Sequence, residues 1–199
     1  MCGRYTLFSD KEDSELSRMV EAVNQKFDVQ IKTGDIFPSN LAPIIRENQG
    51  KVELDVMEWG YRNPFKKGLI INARSETVAE KKMFRDDFEQ RRCLIPAAGF
   101  YEWDQQKHQY LFDSDAILYL GGIYKAFEGK NKFVVLTKAP NPMVSAVHDR
   151  MPVIIPAEKM DPWFQNSQDA MDLLNEDAVP LMKHQSEKIH DSSQIKFPL

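Results

Sequence analysis

The spacing of apolar residues along this chain predicts one early helix and a series of strands. Residues 10 to 24 are predicted to form an amphipathic helix, because a serine precedes them and their apolar positions recur at helical spacing: Leu16, Met19, Val20 and Val23. Further helices are predicted near 75 to 90, 141 to 147 and 157 to 175.

The strands are predicted from short stretches of alternating or continuous apolar residues. In KVELDVMEW (51 to 59), apolar Val52, Leu54 and Val56 alternate with Glu53 and Asp55, which is the pattern of a half-buried strand. Runs rich in branched and aromatic residues and bounded by glycine, proline or charge predict five more strands: GLIIN, CLIPA, AILYLGGIY, KFVVLT and PVIIP. Strands therefore dominate the middle of the chain. We predict an α+β fold with a largely antiparallel, barrel-like sheet surrounded by helices.

Composition is typical of one folded domain spanning residues 1 to 199. The chain is 42% hydrophobic and 28% charged, and it contains no internal repeat. The first residues lack the apolar core of a signal peptide, and no later run is long enough to span a membrane. Cys2 and Cys93 are the only cysteines, too few for a disulfide framework and without zinc-site spacing. We therefore expect a cytoplasmic protein without a metal or cofactor.

The charge is distributed unevenly along the chain. The formal net charge is −4, which does not favour nucleic-acid binding by the molecule as a whole. From Tyr61 to Arg92, however, nine Lys and Arg residues stand against five Asp and Glu residues, whereas the chain from Ala157 onward has four Lys and eight acidic residues. The basic segment is either a surface for an anionic partner or a solvated face of mixed charge.

The sequence begins MCGRYT, which places a cysteine directly after the initiator methionine. If Met1 is removed, Cys2 carries both a thiol and a free α-amine. The α-amine has an ordinary pKa of about 7.7 to 8.0, so an appreciable fraction of it is neutral and nucleophilic near pH 7. The alternative is a small buried cysteine with a purely structural role.

INARSET (71 to 77) brings an amide and a guanidinium together. Asn72 and Arg74 follow an apolar run, and strand alternation places both side chains on one face. The guanidinium matches the geometry of a phosphate. Alternatively, Arg74 pairs with Glu76 and Asn72 simply ends a strand.

Two more stretches carry candidate proton-transfer groups. In IPAAGFYEW, Glu102 lies between two aromatic residues after a predicted glycine turn, where burial raises a carboxyl pKa as a general acid requires. In VHDRMP, His148 precedes Asp149 and Arg150, so Asp149 either orients the imidazole or balances Arg150. The alternatives are an exposed Glu102 and a structural His148.

These stretches together resemble the SRAP family, the SOS response-associated peptidases regarded as abasic-site DNA-protein crosslinkers. The similarity covers nearly the whole chain and runs in order through MCGRYT, NLAPII, the WG at 59 and 60, INARSET, RCLIPAAGFYEW, HDRMPVII and DPWF. The chain departs from the family pattern after this WG, where it reads YRNPFKKG and Phe65 replaces the usual second tryptophan. The resemblance implies Cys2 as nucleophile, Asn72 as its positioning residue, Glu102 and His148 as proton carriers, Arg4 and Arg74 on the DNA backbone, and Trp59 and Phe65 stacking on bases.

The resemblance also implies the reaction and the partner. After Met1 is lost, by autocatalysis or through an aminopeptidase, the amine and thiol of Cys2 would form a thiazolidine with the aldehyde of a ring-opened abasic site. The expected partner is single-stranded DNA containing abasic sites, bound by a monomer. Two other functions stay open at this stage, an N-terminal-nucleophile hydrolase acting on peptides or amides and a passive binder of single-stranded DNA.

Overall fold

An eleven-stranded sheet dominates the computed structural model, which describes residues 2–7, 15–176 and 179–185. The strands are β1 Tyr5–Thr6, β2 Asp35–Ile36, β3 Leu41–Asn48, β4 Lys51–Trp59, β5 Tyr61–Arg62, β6 Leu69–Ile70, β7 Asn72–Arg74, β8 Arg92–Trp103, β9 Gln109–Phe127, β10 Lys130–Lys138, β11 Met151–Pro152, β12 Ile154–Ile155 and β13 Met182–Gln185. The α-helices are α1 Glu15–Phe27, α2 Arg85–Gln90, α3 Pro142–Ser145, α4 Met160–Gln165 and α5 Ser167–Leu173, with 3₁₀ turns at Ser75–Thr77 and Ala157–Lys159. The predicted α+β class is confirmed.

Five strands close into a ring, in the order β9, β10, β4, β3, β8 and back to β9. The long antiparallel pairing of β8 with β9 completes this closure. Most pairings are antiparallel, but β10 runs parallel to both β4 and β7. The predicted barrel-like, largely antiparallel sheet is therefore confirmed, with two parallel contacts that the sequence pattern did not indicate.

Both faces of the ring are covered, which explains the continuous apolar runs. On β10, Phe133 and Val135 belong to one buried cluster, whereas Val134 and Leu136 belong to another. The first cluster draws on all five ring strands and on α1, so it fills the interior, and the second lies beneath α2, α4 and α5. A strand buried on both faces is apolar at successive positions instead of alternating ones.

The early helix and the strand at 51 to 59 are both found, with one change in each. Helix α1 covers residues 15 to 27, and residues 10 to 14 of the predicted helix lie outside the described part of the chain. In β4 the more buried face carries Asp55, Met57 and Trp59, while Val52 is 49% exposed. Asp55 is buried because its carboxylate accepts a 2.5 Å hydrogen bond from Arg46 Nε on β3. The apolar alternation therefore indicated the wrong face of this strand.

Gly99 does not form the turn predicted before Glu102. It lies inside β8, where the pairing shifts from Ala97 opposite Leu118 to Gly99 opposite Asp113. A Cβ at Gly99 would lie 2.8 Å from both Leu111 Cδ1 and the Phe112 carbonyl oxygen, so only glycine allows this approach. The irregularity lets β8 continue to Trp103, and Glu102 is therefore held by a strand.

The N-terminal strand β1 is fixed on both sides. Tyr5 and Thr6 pair with Phe100 and Gly99 of β8, and they also pair with β2. Chain termini are usually poorly ordered unless a sheet holds them in this way. Cys2 is therefore placed three residues ahead of an anchored strand.

Arg92 holds the ends of two helices. Its guanidinium is buried and donates to the carbonyl oxygens of Phe88 (2.6 Å) and Glu89 (2.9 Å) near the end of α2. It also donates to the carbonyl oxygens of Trp163 (2.7 Å) and Phe164 (3.1 Å) in α4. Helix ends leave unpaired carbonyl groups, and one side chain satisfies them here for both helices.

We predict that Arg92→Met lowers the free energy of unfolding by about 3 kcal/mol, because buried carbonyl groups lose charged donors. Arg85→Met is the matched control, since Arg85 is exposed and its side chain bonds the neighbouring Asp86. Urea denaturation of the three proteins measures the difference. Equal unfolding free energies for Arg92→Met and the control would contradict this role.

Candidate functional site

Cys2 is completely buried, at 0% exposure. Its thiol Sγ lies 3.7 Å from the Arg4 carbonyl oxygen, to which it donates. Burial raises the pKa of this thiol well above its ordinary value, and the negative charge of Glu102 raises it further. The thiol is therefore kept protonated in this state of the chain, with Cys2 still joined to Met1.

Asn72 connects the start of the chain to β7. Its Nδ2 donates a 2.9 Å hydrogen bond to the carbonyl oxygen of Cys2. Parallel pairing of Asn72 with Val135 of β10 fixes the backbone from which this amide extends. The other amide atom, Oδ1, is buried and has no hydrogen-bond partner among the residues described. The contact holds the Asn72 amide against the backbone of Cys2, and its positioning role stays a prediction.

Glu102 is a buried carboxyl group near the end of β8, with 1% of its surface exposed. Burial raises its pKa to about 7, and the charge of Asp149 adds to the increase. A carboxyl group with this pKa both donates and accepts protons at neutral pH. The alternative of an exposed Glu102 is excluded.

His148 lies beside Glu102, with 3.7 Å between His148 Nε2 and Glu102 Oε2. The backbone N–H of Arg150 donates to Nδ1 at 3.0 Å, so a neutral ring carries its proton on Nε2, facing Glu102. Asp149 Oδ1 is also 3.1 Å from Nδ1 and becomes a partner when the ring is protonated. Burial lowers the pKa of His148, so the neutral ring is favoured.

Arg150 and Glu76 form a two-pronged ion pair that the sequence did not indicate. Both guanidinium nitrogens of Arg150 contact the Glu76 carboxylate, one of them at 2.9 Å, and Nη2 also donates to the Thr137 carbonyl oxygen. This pair joins the turn that carries His148 to the segment that follows Asn72. Two alternatives from the sequence are decided by this pair. Glu76 forms its ion pair with Arg150 instead of Arg74, and Asp149 is not the carboxylate that neutralises Arg150.

Arg4 lies within a group of aromatic rings. Its guanidinium carbon is 4.6 Å from the ring centre of Phe37 and 5.1 Å from that of Trp103, at cation–π distances. Nη1 also lies 3.5 Å from an Asp35 carboxylate oxygen and donates to Gln109 Oε1 at 3.2 Å. Part of its charge is therefore already neutralised, which weakens the case for Arg4 as a main phosphate contact.

The remaining predicted residues differ sharply in exposure. Trp59 is completely buried: its ring stacks on Phe133, contacts Tyr5 and donates from Nε1 to the Ile71 carbonyl oxygen. Stacking of Trp59 on a DNA base is incompatible with this position, so that assignment is corrected. Phe65, in contrast, is 85% exposed, and Arg74 at the end of β7 is also exposed.

The basic segment from 61 to 92 is not one continuous basic surface. Arg92 is buried against helix carbonyls, and Arg91 is bonded to the buried carboxylate of Asp87. Within this segment, the exposed cations without an ion pair to a described residue are Lys66, Lys67, Arg74, Lys81 and Lys82. The basic surface is therefore smaller than the count of charges implies.

The described ranges 2–7, 15–176 and 179–185 show neither a metal-binding cluster nor a membrane-spanning helix. Within them, no group of three or more His, Cys, Asp or Glu side chains is arranged to hold a metal ion. No helix there is long and apolar enough to cross a membrane.

The fold and the site define a small α+β barrel whose buried N-terminal cysteine lies close to a carboxyl group and an imidazole. The family model for SOS response associated peptidase (SRAP) matches residues 1–194, and the chain belongs to this family. "Abasic site processing protein YoqW" of Bacillus subtilis (strain 168) is 31% identical over 221 residues, covering 100% of this chain and 95% of the relative. "Abasic site processing protein YedK" of Escherichia coli (strain K12) is 26% identical over 180 residues, covering 83% and 80%.

Solved structures agree with the fold. A crystal structure of a protein from Bacteroides thetaiotaomicron has a TM-score of 0.74 at 18% identity, covering 94% of this chain and 93% of that one. Another, from Bordetella bronchiseptica, has a TM-score of 0.73 at 22% identity and covers 94% and 100%. The barrel with its surrounding helices is therefore shared with experimentally determined proteins.

We predict that Glu102→Gln changes how stability depends on pH. Between about pH 4.5 and about pH 7 the folded protein retains a proton that the unfolded chain has released, so raising the pH destabilises the wild type by on the order of 2 kcal/mol. Glutamine does not titrate, so the variant lacks this loss. Urea unfolding across this pH range measures the difference between the two proteins.

His148 supplies the internal control for this experiment. Its lowered folded-state pKa gives the opposite sign, because the unfolded chain binds the proton first and stability rises towards pH 6.5. This contribution rises where that of Glu102 falls, so it cannot imitate the loss of stability expected from Glu102. Parallel stability curves for wild type and Glu102→Gln would show that Glu102 titrates normally.

We predict that Glu76→Gln raises the pKa of His148. Without its ion pair, Arg150 no longer fixes the turn, and water reaches a ring whose pKa is lowered mainly by burial. Histidine NMR titration of the wild type and the variant measures the shift. Glu80→Gln, also exposed and close in sequence, is the matched control, and an identical His148 titration in all three proteins would refute the coupling.

Proposed function

We propose that this protein processes abasic sites in single-stranded DNA by forming a covalent crosslink through Cys2 after Met1 is removed. The observation that carries the proposal is the placement of Cys2, whose carbonyl is bonded to Asn72 while Glu102 lies close enough to affect the thiol. Relatives named abasic site processing proteins support the choice of substrate.

In the proposed reaction, two bonds form to one carbon atom. The neutral α-amine of Cys2 adds to the aldehyde carbon of the ring-opened deoxyribose, and loss of water gives an imine. The thiol sulfur then adds to the imine carbon while its proton passes to the nitrogen, closing a five-membered thiazolidine. A lysine makes only the first of these bonds, so an N-terminal cysteine is the residue that the reaction requires.

The neighbouring groups supply and accept the protons. Glu102, with a pKa of about 7, protonates the ring oxygen as the sugar opens. Neutral His148, with Nε2 directed at Glu102, carries protons during imine formation and reversal. Asn72 Oδ1 is a buried acceptor next to Cys2 and is suited to orient the free amine.

DNA is held by the exposed groups. Arg74 is the better placed of the two predicted phosphate contacts, because Arg4 is engaged by Asp35 and three aromatic rings. Phe65 is retained as a stacking residue, and Trp59 is assigned to the core instead. Single strands are favoured as substrates, since exposing a sugar in a duplex costs on the order of a few kcal/mol of unstacking.

We predict that Cys2→Ala abolishes the stable crosslink to an oligonucleotide with one abasic site, and that Cys2→Ser is nearly as inactive because oxygen closes the ring less favourably than sulfur. Intact mass before and after incubation detects both the loss of Met1 and the covalent product. The matched control is Cys93→Ala, which removes the other buried thiol and should leave crosslinking intact.

Three results would overturn the proposal. Crosslinking by Cys2→Ala at the wild-type yield would remove Cys2 from the reaction. Rapid cleavage of added peptides by the wild type, with no covalent product on single-stranded or paired abasic DNA, would favour an N-terminal-nucleophile hydrolase. Salt-sensitive binding that ignores the lesion and gives no adduct would favour a passive binder.

A further inference from the structure

A groove outside the proposed reaction site runs between the β5–β6 hairpin, the segment that precedes α2 and the end of β9. Its volume is about 630 Å³, the size of a typical ligand cleft. Phe127, at one end of the groove, pairs with Lys130 on β10. Asn72 pairs with Val135, five residues further along β10, so roughly 16 Å separates the groove from the reaction site. We call it the hairpin groove and define it by Tyr61, Arg62, Lys82, Met83, Lys125 and Phe127.

Lys125 holds the sides of the hairpin groove together. Its ammonium group donates to the Met83 carbonyl oxygen at 3.0 Å and lies 3.1 Å from a carboxylate oxygen of Asp87. The same group lies 5.7 Å from the ring centre of Tyr61. These contacts join the end of β9 to β5 and to the segment before α2. The groove is therefore preformed, and a ligand does not have to order its walls.

The rings of the groove form a cup instead of a flat platform. Phe127 is half-buried and packs at 5.2 Å on the almost completely buried Tyr61, with the two ring planes inclined by 55°. Half-buried Met83 adds an adaptable apolar wall. A stacked base requires a flat face, and the polar groups on its edges are costly to bury against apolar side chains. The cup is better suited to one aromatic or large aliphatic side chain.

The charges around the groove favour an acidic ligand. Of the described residues that line it, none is acidic and three are cationic. Lys125 is already engaged by Asp87. Arg62 meets Glu128 at 3.8 Å in a solvent-exposed pair that contributes little, and exposed Lys82 has no ion pair with a described residue. Arg62 and Lys82 are therefore available to a ligand.

From these observations we propose that the hairpin groove docks an acidic peptide segment of a partner protein. An aromatic or large aliphatic side chain of the peptide enters the cup beside Phe127 and Met83, and neighbouring carboxylates pair with Arg62 and Lys82. Aromatic residues, methionine and arginine are the types enriched at protein interfaces, and all three line this groove. Phe65 belongs to the rim of the groove and keeps its separate assignment to DNA. The inference goes beyond the proposed function and does not depend on it.

The ionic contacts are tested with a fluorescein-labelled peptide in which aspartates flank one phenylalanine. Arg62→Ala/Lys82→Ala should weaken its binding about tenfold in fluorescence anisotropy, because two charge-assisted contacts are lost. Lys66→Ala/Lys67→Ala is the matched control, since both lysines are exposed on the same hairpin and neither lines the groove. Urea unfolding verifies that both variants fold as the wild type does.

The apolar contact is tested from both sides. Replacing the phenylalanine of the peptide by alanine, and Phe127→Ala in the protein, should each weaken binding about tenfold. Phe127→Leu keeps an apolar side chain in the cup and should retain most of the affinity. Val52→Ala is the control for loss of an exposed apolar side chain elsewhere. If Phe127→Ala unfolds, the alanine peptide still measures the same contact on the wild type.

Amide chemical shifts locate the site directly. Adding the phenylalanine peptide to the wild type should shift the backbone amides of Arg62, Met83 and Phe127. The amides of Cys2 and Asn72 should stay where they are, because the reaction site is not part of the groove.

Several results contradict the proposal. Absence of peptide binding by the wild type, or unchanged binding by Arg62→Ala/Lys82→Ala, excludes the groove as an acidic-peptide site. Equal affinity for the phenylalanine and alanine peptides shows that the surface attracts any polyanion. A thymidine 15-mer whose binding is weakened by Arg62→Ala/Lys82→Ala more than peptide binding is would make the groove a nucleic-acid contact. A concentration-dependent dimer that this variant dissociates would make the occupant a second copy of the chain.

Discussion

Burial of the Glu102 carboxyl close to the Cys2 thiol is the constraint around which the site is built. Both groups are acids, and burial raises the pKa of each, with the negative charge of Glu102 raising that of Cys2 further. Near neutral pH the thiol therefore stays protonated, and Glu102 is the member of the pair that exchanges a proton. His148 adds an imidazole that burial also keeps neutral. A site of this kind keeps its thiol and imidazole neutral and acts by transferring protons.

Closure of the sheet makes this burial achievable in a chain of 199 residues. Strand β8 pairs with β9 along its length, and β1 adds to the end of β8 beside Glu102. Asn72 approaches on β7, which is parallel to β10, and its amide reaches the Cys2 carbonyl. Three segments far apart in sequence therefore converge at the site.

Much of this arrangement follows from local sequence, and the remainder does not. Continuous apolar runs identified β8 and β10 because both sheet faces are covered, and alternation placed Asn72 and Arg74 on one face. The partners of those residues depend on distant contacts: Glu76 meets Arg150 across 74 positions, which no local pattern indicates. Trp59 was assigned to DNA by resemblance, whereas its burial depends on Phe133 and Tyr5. The face of β4 was missed because one buried acid, Asp55, is compensated by Arg46.

The pairing of β1 with β8 has a consequence for the time at which the amino terminus is accessible. Tyr5 pairs with Ile36 of β2 and with Phe100 of β8, so the first strand lacks its β8 partner until about 100 residues have been synthesised. At about 5 to 20 residues per second, the nascent amino terminus remains in solvent for roughly 5 to 20 seconds. Docking of β1 then encloses Cys2. For the proposed removal of Met1, an aminopeptidase acting from outside would have its best access before β1 docks on β8.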